Sequence, residues 1–97
     1  MSEGVAARPR ITMVLEEDGE SFGLYLNDAG RDLLVKELRR LDRQWDHLHA
    51  APEEMGEVAM ASRPYEPGQR VLQWGKISFR PDDWDREYYP HVLDDEA

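Results

Sequence analysis

One long stretch of the chain, residues 27–45 (NDAGRDLLVKELRRLDRQW), repeats its leucines at helical spacing. Leu34, Leu38, Leu41 and Trp45 form the stripe, with Leu33 and Val35 beside it. A lone amphipathic helix must bury that stripe against something other than a second helix, and a sheet is the surface left to it. Asn27 or Asp28 can cap the helix by accepting hydrogen bonds from first-turn N–H groups that have no partner of their own. At roughly 100° per residue, Lys36, Arg39, Arg40 and Arg43 fall opposite the leucines. That basic face reads as solvated, and its charge suits the C-terminal end of a helix.

The sheet is legible around this helix. In residues 10–27 (RITMVLEEDGESFGLYLN), Ile11, Met13 and Leu15 alternate with Thr12, Val14 and Glu16, while Phe22, Leu24 and Leu26 alternate with Gly23 and Tyr25. Asp18 and Gly19 supply the turn of a hairpin. After the helix, DHLHAA reads as a short edge strand turned by Ala51, Pro52, Glu53 and Glu54. GEVAMAS reads as a strand through Val58 and Met60, and SRPYEPGQ as a loop. RVLQWGKISFRP is rich in β-branched and aromatic residues, and a bulge at Gly75 would place Leu72, Trp74, Ile77 and Phe79 on one face. The order is β-β-α-β-β-β. It predicts a two-layer α+β fold in which one amphipathic helix packs on a mainly antiparallel sheet.

Three segments follow: a flexible N-terminal arm over 1–9, a single α+β domain over 10–80 and an acidic aromatic C-terminal segment over 81–97. The last begins as a short helix, since Pro81 suits the first helical position, Asp82 and Asp83 suit its positive end, and Pro90 would stop it. Ninety-seven residues leave no room for a second independent core. The formal charge of −9 argues against nucleic acid as a partner, because phosphates must be neutralised to be bound, and favours a partner with a basic surface. Without cysteine there is no disulfide, thiolate nucleophile or sulfur metal site. The opening MSEGVAARPR lacks the apolar region of a secretory signal, and the apolar runs are too short for a bilayer, so a cytoplasmic protein free of the membrane is expected.

Signals for chemistry are sparse. His47 and His49 in WDHLHAAPEEMGE would share one face of a strand, with Leu48 on the other, and two imidazoles on one face can bind a transition metal if a third ligand joins them. No serine lies in a nucleophile elbow, no glycine-rich phosphate loop is present, and carboxylates are too common for any acid–base pair to stand out. The chain is expected to be neither an enzyme nor a holder of a cofactor. The C-terminal segment offers more. Trp84, Tyr88 and Tyr89 lie among Asp82, Asp83, Asp85, Glu87 and the further acids Asp94, Asp95 and Glu96, with Arg86 the one base among them. Aromatic anchors within a field of charge suit a protein interface, which makes Trp84, Asp85, Glu87, Tyr88 and Tyr89 the candidate partner contacts; the alternative is that Trp84 and Tyr88 cap the domain's own core while the acids are solvated or pair with the basic helix face.

The span from LYLNDAGRDLLVKELRRL through DHLHAAP to VLQWGKISF, roughly residues 22–80, resembles the small α+β immunity proteins of bacterial polymorphic toxin systems, in particular immunity protein family 32. The shared pattern is a strand, a short turn into a leucine-rich helix, a histidine-bearing strand and a closing strand. Separately, DREYYP at Asp85–Pro90 is similar to the stretch by which DNase-type colicin immunity proteins hold their toxin; carried over, it implies interface roles for Asp85, Tyr88 and Tyr89. These resemblances imply an inhibitor that neutralises a cognate toxin by binding it. Two other readings stand beside that one. The first is a metal-binding protein built on His47 and His49. The second is a structural or homodimeric domain whose second sheet face exposes Val14, Tyr25 and Trp74 to its own copy.

Overall fold

The computed structural model describes residues 8–96, so residues 1–7 of the expected arm, like Ala97, lie outside the described residues. In chain order the elements are β1 (Ile11–Leu15), β2 (Phe22–Leu26), α1 (Asp28–Arg40), β3 (His47–Pro52), β4 (Val58–Met60), β5 (Arg70–Leu72), β6 (Gly75–Ser78), α2 (Asp82–Tyr88) and a 3-10 helix (Pro90–Glu96). The fold is the expected α+β arrangement, with α1 on one face of a curled, mixed sheet of order β2-β1-β4-β3-β6. Among the described residues no helix is long and apolar enough to cross a membrane.

Local chemistry builds the hairpin. The Asp18 carboxylate accepts from the N–H groups of Glu20 (2.8 Å) and Ser21 (2.9 Å) and from the Ser21 hydroxyl (2.9 Å), while Gly19 takes the left-handed φ of 73° that the turn requires. Those bonds, the one from Glu20 foremost, hold the Asp18 carboxyl below its ordinary pKa. β1 and β2 then pair antiparallel with Ile11 opposite Leu26, Met13 opposite Leu24 and Leu15 opposite Phe22, so all six side chains share one face.

Asn27 joins the hairpin to the helix. Its Oδ1 accepts from the Gly30 N–H (2.7 Å), capping α1, and from the Arg10 N–H (2.9 Å) at the start of β1. The helix start is pressed so closely on β1 that a Cβ at Gly30 would run into the Arg10 carbonyl. The helix ends at Arg40, a turn short of Trp45. There the Asp42 carboxylate captures the N–H groups of Gln44 (2.9 Å) and Trp45 (2.7 Å), and the Asp42 N–H donates to the Trp45 carbonyl (3.0 Å). The buried stripe is also turned from the leucine reading. Leu33, Leu34 and Leu41 pack on the core, Glu37 is only 5% exposed, and Leu38 is 42% exposed. Glu37 is tolerated there because Arg40, one turn on, donates to both its oxygens (3.0 and 3.3 Å).

The sheet closes on itself in a way the strand order alone does not convey. One edge of β1 carries β2; its other edge is shared by β4, parallel at Ile11 and Met60, and β5, antiparallel from Met13–Leu72 to Leu15–Arg70. β3 has β4 on one side and β6 on the other. It is thus an interior strand, not the expected edge strand, and Leu48 is fully buried. Between Leu72 and Gly75 the chain changes partner from β1 to β3. The expected bulge at Gly75 is replaced by this break at Gln73–Trp74. Leu72 and Ile77 still face the core side through Met13 and Leu48, but Trp74 is 67% exposed and Phe79 lies outside the core.

Ile11, Leu48, Val58 and Met60 form the center of the core beneath α1. The second face of β1 does not expose Val14, as the homodimer reading supposed. Val14 and Thr12 are buried, and the Tyr25 ring stacks on Tyr65 at 4.0 Å, so the 61–69 loop covers this face. The Gln69 amide fastens the loop: its oxygen accepts from the N–H groups of Tyr65 and Glu66 (3.0 Å each), and its nitrogen donates to Glu16 (3.2 Å) and the Tyr25 hydroxyl (3.1 Å).

Candidate functional site

The C-terminal segment leaves β6 through Phe79, whose N–H donates to the Asp46 carbonyl (2.7 Å), and Pro81 caps α2 from outside the helix rather than occupying its first position. The Pro81 carbonyl accepts from Trp84 (3.0 Å) and Asp85 (3.2 Å). Asp82, Asp83 and Asp85 occupy the first turn, where exposed N–H groups favour negative charge. The helix ends at Tyr88, and Pro90 opens the following 3-10 turn.

Two arginines hold this segment. Arg43, in the turn after α1, donates to both Asp83 oxygens (2.9 and 3.0 Å), and its guanidinium lies 5.4 Å from the Trp84 ring centre. Arg80 binds Asp85 through Nε (2.9 Å) and Nη2 (2.7 Å) and lies over both Trp84 (5.9 Å) and Tyr89 (5.0 Å). The hydrogen bonds from Arg43 hold the Asp83 carboxyl below its ordinary pKa and push the Arg43 guanidinium up.

The five residues singled out for partner contact therefore divide. Trp84 and Asp85 are half-buried and turned toward the arginines, Glu87 and Tyr88 face solvent, Tyr88 at 67% exposure, and Tyr89 is exposed on one side and lies against Arg80 on the other. Tyr89 also meets His91 edge to face at 6.1 Å. Sequence reasoning did not single out Arg80, and it placed Arg43 on the helix. Arg43 stands 40 residues from Asp83, so only the folded chain pairs them.

His47 and His49 do share a face of β3, with Leu48 turned into the core, and their rings meet edge to face at 4.9 Å. Each is tied to its own carboxylate. His47 Nδ1 lies 2.7 Å from Asp46 Oδ1, and the His49 backbone N–H donates to Glu57 Oε1 (2.6 Å). The His47 contact lowers the Asp46 pKa, and the His49 N–H lowers that of Glu57. Among the described residues no group of three or more His, Cys, Asp or Glu side chains is placed to hold a metal ion.

A third feature carries no titratable side chain except Lys76. Beside α1 the apolar face of the sheet opens into a cavity of about 130 Å3, lined by Met13, Leu24, Leu34, Leu72, Trp74 and Ile77 among others. Beyond Leu24, Phe22 is 66% exposed and Leu26 39%. The sequence signal for this surface was the all-apolar alternation of β2, which reads as core until the helix proves too narrow to cover it. Comparison of the chain with protein-family models, with curated proteins and with solved structures finds no match.

Proposed function

We propose that the chain is a non-enzymatic binding module, an immunity-type inhibitor that neutralises a cognate toxin by binding it, with Glu87, Tyr88 and Tyr89 as contacts and Trp84 and Asp85 as their support. The observation that carries this reading is the two-sided build of α2. Its inner side is clamped by Arg43 and Arg80, and its outer side holds the Tyr88 ring in solvent among carboxylates. A helix anchored before binding loses little freedom when a partner covers its outer side, and the negative charge of the segment steers a basic partner.

The test is capture from the native host with the wild-type chain and with a Tyr88→Ala/Tyr89→Ala variant, followed by expression of whatever the wild type alone retains. The expected result is a basic protein that arrests growth when expressed and is neutralised by the wild type but not by the variant. The variant should keep its fold and lose about 2–4 kcal/mol of binding, roughly 30- to 1,000-fold in affinity. A harmless captured protein, or equal retention by both forms, would sink the reading.

A further inference from the structure

Among the described residues β2 lies at the end of the strand order with β1 as its one hydrogen-bonded neighbour. Two bonds set the phase of that pairing: Asn27 N–H to the Arg10 carbonyl (3.2 Å) and Glu16 N–H to the Ser21 carbonyl (2.8 Å). In an antiparallel ladder the bonded pairs recur every second residue, so Gly23 and Tyr25 turn their backbone groups to β1. Phe22, Leu24 and Leu26 turn theirs outward, and among the described residues no backbone bond from another element reaches them. These same three residues carry the exposed side chains of the apolar face.

Edge strands are ordinarily guarded by a charge, a proline or a bulge. FGLYL contains none of these. The other end of the order, β6, carries Lys76 and runs on into Arg80 and α2. Within the hairpin and the helix start the charge is of one sign: residues 11–30 include Glu16, Glu17, Asp18, Glu20 and Asp28 and no lysine or arginine, while the neighbouring Arg10 is engaged, its Nε donating to the Tyr65 hydroxyl (3.4 Å). One of these acids sits on the strand itself. On the face away from α1, Gly23 leaves room that the Glu16 carboxylate takes, with Oε2 3.0 Å from where a Cβ would stand.

We infer that the outer edge of β2 is a docking strand for an extended segment of a basic partner protein, with apolar side chains on one face and lysine or arginine on the other. Its backbone would pair with Phe22, Leu24 and Leu26, its apolar residues would extend their row, and its cations would meet Glu16 and the acidic turn. A second copy of this chain fits less well. Antiparallel self-pairing about Leu24 sets Glu20 against Asp28 of the other copy, acid against acid. This surface is distinct from the α2 face and stands whether or not that face binds a toxin.

The experiment titrates isotope-labelled full-length chain with a short peptide alternating lysine and valine, and with the same peptide N-methylated along one edge. The expected result is saturable amide shifts at Phe22, Leu24 and Leu26. Affinity should fall at least about tenfold on N-methylation and in a Phe22→Lys/Leu26→Lys variant, and stay unchanged in Tyr88→Ala/Tyr89→Ala. The methylated peptide probes the wild-type chain, so the result does not depend on any variant folding. Equal binding by the methylated peptide, or shifts gathered at Tyr88 and Tyr89, overturns the proposal. So does self-association that Phe22→Lys abolishes, which would place a second copy on the edge.

Discussion

At the β6 end of the sheet the rings have charged neighbours: Trp84 lies near both Arg43 and Arg80, and Tyr89 lies against Arg80. At the β2 end Phe22, Leu24 and Leu26 stand exposed, and residues 11–30 hold no cation to cover them. The first surface is assembled from distant parts of the chain and held by ion pairs that reach solvent. The second is made by one hairpin and presents apolar side chains with open backbone groups. Two exposed aromatic surfaces on one small protein thus depend on different forces. Salt acts on the first through its charges and finds little to act on in the apolar side chains and backbone bonds of the second.

Both ends rest on the core beneath α1, where Leu48 is fully buried beside Ile11, Val58 and Met60. Leu48→Ala should therefore have the largest effect, a loss of about 2–5 kcal/mol in denaturant unfolding. Backbone amide probes in β2 and in α2 should report the same shifted midpoint. Separate midpoints would mean that the α2 end unfolds on its own, with a stability not borrowed from this core.

Trp84→Ala should separate the two ends. The half-buried ring contributes packing and two exposed cation–π contacts, together about 1–2 kcal/mol. The loss should be local: hydrogen exchange should quicken at the Tyr89 N–H, which donates to the Asp85 carbonyl (2.7 Å), and leave β1 and β2 unchanged. Exchange quickening equally in the hairpin would show the ends to be mechanically joined.

The hairpin was legible in the sequence because everything that makes it is local: Asp18 bonds residues two and three along, and the period of two lies on both sides of the turn. The Asn27 cap and the opposed faces of His47, Leu48 and His49 were legible for the same reason. The end of α1 was not, since Leu41 and Trp45 continue the helical spacing while Asp42 offers a rival bond to the same backbone. Glu37 in the buried stripe, the interior place of β3 and the partner change after Leu72 depend on pairings across the fold. As for the candidate site, its aromatic and acidic residues could be picked out together. Their division into an anchored and an exposed set could not, because it follows from Arg43 and Arg80.

Acid and salt should then act unequally. Asp83 is held below its ordinary value of 3.8 by hydrogen bonds from Arg43, and Asp18 by backbone N–H groups. A carboxylate with a depressed folded pKa stabilises the fold above its unfolded pKa, and that stability is lost as pH falls through the lower folded value. Both ends should hold from neutral pH down to about 4 and loosen below it. At neutral pH, about 1 M salt should loosen the Asp83–Arg43 pair, since screening is then nearly complete within a few ångströms, and leave Asp18 bonded to its own turn. Trp84 emission and the Ser21 amide shift report the two ends separately. A salt response at Ser21 equal to that at Trp84 would remove the distinction between a charge-held and a backbone-held end.

The smallest effect should come where the chain passes from the β1 side of the sheet to the β3 side. Gly75 opens β6 opposite Ala50, its φ is not left-handed, and a Cβ there would meet nothing within 4 Å. Nothing in the fold calls for glycine at that point, in contrast to Gly30, where a Cβ would run into the Arg10 carbonyl. Gly75→Ala should therefore stabilise the protein by about 0.4–1 kcal/mol, chiefly by narrowing the unfolded ensemble. A loss of stability would point instead to a bulge that needs glycine. It would also move the break between β5 and β6 from Gln73–Trp74 to Gly75 itself, and with it the place where Trp74 leaves the sheet beside the apolar cavity.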